Sequence, residues 1–193
     1  MEPVDFRVNN LLFYPEIYLK ALEFNRELNQ YNHIIFMRFS GMLNSIIDCT
    51  LFLAANLYNL LMVAIFLSRP AGLARLEHNL GLFAVTLAFP LLAGVVLNAG
   101  LGRDGWFILL PVPLVIYLFV EWLLDYFLKL TFRNTRLLWP YLMLYYLGLL
   151  GMIGYTFMAD RFYGFVTLFT YFLNLFATWY SYSKTGHTTA PKK

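Results

Sequence analysis

The chain has 193 residues, of which 60% are hydrophobic, 19% aromatic and only 13% charged. Soluble domains carry about 25% charge, so this composition excludes an ordinary water-soluble domain and predicts one all-α membrane bundle. The formal net charge of +3 is small and scattered, which excludes nucleic acid as a partner because phosphate binding needs Lys and Arg gathered on one face.

Three regions follow in chain order. Residues 1–42 read as an N-terminal amphipathic or interfacial segment. Its start, MEPVDFRVNN, carries acids and lacks an apolar core behind a basic end, so a cleaved leader is not expected. Tyr14, Ile17, Ala21, Phe24 and Leu28 recur at steps of three and four, opposite Glu16, Lys20, Glu23 and Glu27. That is the period of an amphipathic helix, with Pro15 in the first turn where a missing N–H is harmless. Acids outnumber bases on the polar face, which favours capping the bundle over lying in the headgroup layer.

Residues 43–183 hold five apolar stretches, near Leu43 to Leu67, Leu80 to Leu97, Trp106 to Leu128, Leu137 to Met158 and Phe162 to Tyr182. Each approaches the roughly 20 residues that cross a hydrocarbon core about 30 Å thick. SRPAGLARLEHN, AGLGRD, KLTFRNTR and ADR separate them. Residues 184–193 form a polar tail expected to be disordered.

Arg69, Arg75, Lys129, Arg133 and Arg136 occupy the loops on one side and Arg103 and Arg161 those on the other, five against two. The positive-inside rule then predicts an external N-terminus and a cytoplasmic tail. A multi-pass protein of the plasma membrane is the expected location, although organelle membranes impose the same hydropathy.

The first span carries Asn44, Asp48, Asn56 and Asn59 within an arc of about 120°, a face that must meet protein or water and not lipid. The third carries Tyr117, Glu121 and Asp125 at four-residue steps. Two carboxylates one turn apart resist double ionisation, and Asp125 could instead meet Lys129, Arg133 or Arg136. The last span aligns Tyr163, Thr167, Thr170, Asn174, Thr178 and Ser181. Such polar faces serve either as interhelical glue or as the lining of a site. Pro111 and Pro113 predict a kink early in the third span. Gly148, Gly151 and Gly154 predict close helix packing, without the four-residue repeat of a dimer stripe.

Motifs for soluble catalysis are absent. The literal GxGxxG of Gly100, Gly102 and Gly105 joins two apolar stretches and has no strand before it, so it reads as a turn and not as a dinucleotide fingerprint. Glu77 and His78 read as a solvated polar turn. His33, His78 and His187 fall outside the expected spans, which argues against haem clamped between helices. The lone Cys49 allows no internal disulfide, and no metal or other cofactor is implied.

The substrate or ion-binding candidates are therefore Glu121, Asp125, Asp48, Asn44, Asn56, Asn59, Tyr117, Asn174, Thr170 and Thr167. The first expectation is binding or transport of a small molecule or ion through a polar bundle interior. An accessory or assembly subunit of a membrane complex, or a homo-oligomer, is the second. A lipid-acting enzyme using Glu121, Asp125 or Asp48 as acid or base is the third. The bilayer itself is the one partner all three share.

Overall fold

The structure, a computed structural model, describes residues 15–128 and 137–185. Among them the chain is helices joined by short turns and contains no strand. Helix α1 covers Pro15–Ser68, α2 Ala74–Thr86, α3 Ala88–Gly100, α4 Gly105–Leu109, α5 Val112–Glu121, α6 Leu138–Ala159 and α7 Arg161–Thr185. A π-helical turn, Trp122–Phe127, continues α5. Lys129, Arg133 and Arg136, offered above as partners of Asp125, lie outside the described residues, as does the tail beyond Thr185 with His187.

Five helical stretches are long and apolar enough to cross a membrane: Leu22–Ser68, Ala74–Gly100, Gly105–Phe127, Leu138–Ala159 and Arg161–Lys184. The second begins six residues before the expected Leu80, because ARLEHN is the opening of α2 and not a loop. Arg69 fastens this opening by an ion pair to Glu77 at 2.7 Å. His78 accordingly lies inside a helix, and so does His33.

The chain divides into two units, Met1–Leu43 and Asn44–Lys193. In the first, the described helix starts at Pro15, and Lys20, Glu23, Phe24, Glu27 and Leu28 are all exposed.

In the second unit the spans bend where proline removes a backbone donor. Pro90 cannot donate to Thr86, and the helix breaks at Leu87 between α2 and α3. Pro111 interrupts the third span between α4 and α5, at the place expected for a kink. Its missing N–H leaves the Phe107 carbonyl without a helical donor, and the side-chain amide of Asn98 replaces it at 3.2 Å. A buried carbonyl left without a donor is costly, and this one is supplied by a side chain.

Close contact of α6 with α5 and with the α4–α5 junction at Leu110 depends on glycine. At Gly151 an added Cβ would overlap the Leu110 carbonyl oxygen, and at Gly148 it would lie 2.8 Å from the Leu114 Cα. Leu51, Leu91, Leu114, Leu118, Met152 and Tyr155 form an essentially inaccessible core. Outward, Phe89, Trp106, Phe119, Phe169, Phe176 and Trp179 are exposed, an apolar surface that suits hydrocarbon and not water.

Candidate functional site

The polar stripes of the first and last spans face each other. Asn56 Nδ2 donates to Thr167 Oγ1 at 3.0 Å, and Thr170 Oγ1 lies 2.8 Å from Asn56 Oδ1. Asn59 Nδ2 donates to Thr170 Oγ1 at 3.0 Å. One turn further on, Asn174 Nδ2 donates to the Tyr145 hydroxyl at 2.8 Å. Asn59, Asn174 and Thr167 are at most 2% exposed, and their side-chain hydrogen bonds hold α7 against α1 and α6. The carbonyl oxygens of Asn59 and Asn174 have no hydrogen-bond partner. Tyr163 closes the stripe by stacking on Phe52 at 4.2 Å. Asn44 is half-buried at the start of the same face.

Asp48 belongs to a different group, at the end of the bundle where α3 turns into α4. Arg103 reaches it with two nitrogens, at 2.6 and 3.1 Å, and the Tyr155 hydroxyl donates to the same carboxylate at 2.6 Å. Asn98 accepts from Arg103 at 3.1 Å and donates to Tyr155 at 3.3 Å. The guanidinium also lies 3.7 Å from the Phe107 ring centre. Gly102, at φ +65°, makes this possible by ending α3 in a tight turn whose Arg103 N–H bonds the Asn98 carbonyl. A charge buried this far costs several kcal/mol unless it is paired and hydrogen-bonded, and here both requirements are met.

Glu121 and Asp125 lie towards the opposite end, beside the turn between α1 and α2. Two open cavities meet there. The first, about 240 Å³, is lined by Arg69, Glu77, His78, Gly81, Glu121, Asp125 and Tyr126 among others. The second, about 340 Å³, is lined by Phe66, Arg69, Tyr117, Glu121, Tyr141, Tyr145 and Tyr182 together with Leu138 and Leu142. Met62, Arg69 and Glu121 belong to both. The π-helical turn starts at the residue after Glu121, and π turns recur where a helix carries function.

The hydroxyls of Tyr117 and Tyr141 lie 2.7 Å apart. Glu77 and His78 are walls of the first cavity, with Glu77 held by Arg69 and the His78 ring 5.4 Å from that of Tyr126. Among the described residues no three His, Cys, Asp or Glu side chains gather as a metal site would require.

Nine of the ten candidates thus separate into three places: an interhelical seam (Asn56, Asn59, Thr167, Thr170, Asn174), an ion-paired clamp (Asp48) and a cavity (Tyr117, Glu121, Asp125); Asn44 belongs to none of them. Asn98, Arg103, Tyr145 and Arg69 were not singled out as functional by sequence. Asn98 is an amide near the far end of its span and stands near a proline that orphans a carbonyl, which is the signal that could have found it. The chain matches no family model, no curated protein and no solved structure. Fold and site define an all-helical protein with five helices able to span a membrane and a cavity at one end of the bundle.

Proposed function

We propose that the chain is a multi-pass membrane protein that binds a small molecule or ion in the double cavity at Glu121. Access is from the α1–α2 turn, which the distribution of loop charge places on the cytoplasmic side. The observation that carries this reading is that both cavities converge on Glu121. Binding precedes transport in this reading. Between the Phe107 level and Glu121, α5 presents Leu114 and Leu118, and α1 presents Leu51 beside Asp48, all three inaccessible. A route through the bundle therefore requires these side chains to part.

A second reading, an assembly subunit of a membrane complex, gains from the direct contacts of Asn56 and Asn59 with Thr167 and Thr170. Groups engaged in that way are not available to a ligand. In this case a partner helix, and not a small molecule, would fill the cavity.

Glu121→Gln separates the two, because the amide keeps the shape of the side chain and removes its charge. Purified wild-type protein is expected to gain thermal stability with a binding molecule from a screen of small polar compounds and ions. The variant should melt close to the wild type without ligand and lose the gain. A variant that responds to the same ligand as the wild type does would contradict the proposal.

A further inference from the structure

We infer that the larger cavity takes an alkylated ammonium group, with its alkyl substituents against the tyrosine rings and its charge towards Glu121. This rests on the reading of the cavity as a ligand site and adds the chemistry of the ligand. The ring of Tyr117 lies 5.1 Å from those of both Tyr141 and Tyr145, so the three form one continuous aromatic wall. Aromatic faces carry negative potential and attract a cation within about 6 Å of the ring centre.

The charges around the double cavity point the same way. Among the described residues, the larger cavity is lined by one base, Arg69, and one acid, Glu121, and the adjoining cavity adds His78, Asp125 and Glu77, the last of which already holds Arg69 in an ion pair. Arg69 itself sits 4.9 Å from the Phe66 ring centre, so this wall already holds one cation against an aromatic ring. The hydroxyls of Tyr117 and Tyr141 are engaged with each other, and that of Tyr145 accepts from Asn174. A metal ion or primary ammonium needs several oxygen ligands at once. A quaternary or tertiary ammonium needs few or none, and a cavity of about 340 Å³ is of the size that small-molecule sites have. The group could arrive on a free small molecule or as the headgroup of a phosphocholine lipid.

The test uses the full-length protein in a maltoside detergent, which carries no ammonium group. Binding of choline is measured against 3,3-dimethylbutanol, its neutral isostere. Choline should bind about tenfold more tightly. Tyr141→Leu should weaken choline by a similar factor, whereas Tyr141→Phe keeps the ring and should keep the affinity, so a fall in Tyr141→Leu caused by misfolding is recognised by its melting temperature. Nanodiscs of phosphatidylcholine and of phosphatidylglycerol then distinguish the source. Loss of choline binding only in phosphatidylcholine assigns the site to the lipid headgroup, and equal binding in both assigns it to a free cation. If choline and the isostere bind equally, the ammonium inference fails and the ligand site stands. If neither binds, the ammonium inference fails, and the ligand-site reading is decided by the Glu121→Gln screen.

Discussion

Arg103 grips Asp48 with two guanidinium nitrogens, at 2.6 and 3.1 Å, across 55 residues of chain. Because Tyr155 and Asn98 complete the group, the pair anchors the α3–α4 turn to α1 and α6. Its side chains retain only 13% and 14% exposure, so removing one partner strands the other. Asp48→Ala should destabilise the bundle by about 3 kcal/mol. In the double variant Asp48→Ala with Arg103→Ala, part of that loss should be recovered. Unfolding titrations in mixed detergent micelles measure the coupling, and strictly additive losses would contradict it.

The seam between α1 and α7 should behave as a set of modest contacts. Asn56→Ala removes the side chain shared by Thr167 and Thr170, at an expected cost of about 1–2 kcal/mol. Combined with Thr170→Val, the two losses should be less than additive. A double-variant cycle on the purified protein checks this, and zero coupling would mean that the two side chains do not interact.

Glycine contacts give a sharper contrast. Alanine is favoured over glycine in a helix by about 1 kcal/mol, so Gly154→Ala should be neutral or stabilising, its Cβ meeting only the mobile tips of Leu110 at 3.4 and 3.5 Å. Gly151→Ala collides with a backbone carbonyl and should lose about 1–3 kcal/mol. Melting temperatures of the two variants, measured side by side, should therefore move apart, and equal values would contradict the close approach of α6 to Leu110 at the α4–α5 junction.

Orientation is tested with single cysteines in a Cys49→Ser background. Ala71 and Asp104 are exposed at opposite ends of the spans. An impermeant thiol reagent added outside intact cells should label Asp104→Cys and leave Ala71→Cys untouched. The reverse pattern would turn the topology over.

Much of the architecture was legible in the sequence because spans need only length and hydropathy, and the polar faces of the first and last spans follow from helical period. What the period cannot tell is which face meets which. Asn56 and Thr167 are 111 residues apart, and nothing local to either marks the other as its partner, so the sequence favours glue over lining without naming the contacts. Arg103 counted as a loop charge because its reach back to Asp48 depends on the left-handed Gly102 and the turn it makes. ARLEHN read as a loop for its polar residues, although Glu77 lies within reach of Arg69 and secures the first turn of α2. Glu121 was legible as an acid deep in its span, but the cavities around it are built from Arg69 in the α1–α2 turn, Tyr145 on α6 and Tyr182 on α7, a convergence only the fold supplies.

The most direct measurement of the central claim is water access to Met62, which lines both cavities at Glu121. In the Cys49→Ser background, Met62→Cys should react with a small water-soluble thiol reagent supplied from the α1–α2 side and not from the other. Leu51→Cys, in the closed core, should react from neither. Inert Met62→Cys beside a reactive Ala71→Cys would show that no wet cavity reaches Glu121, and the ligand-site account would fall.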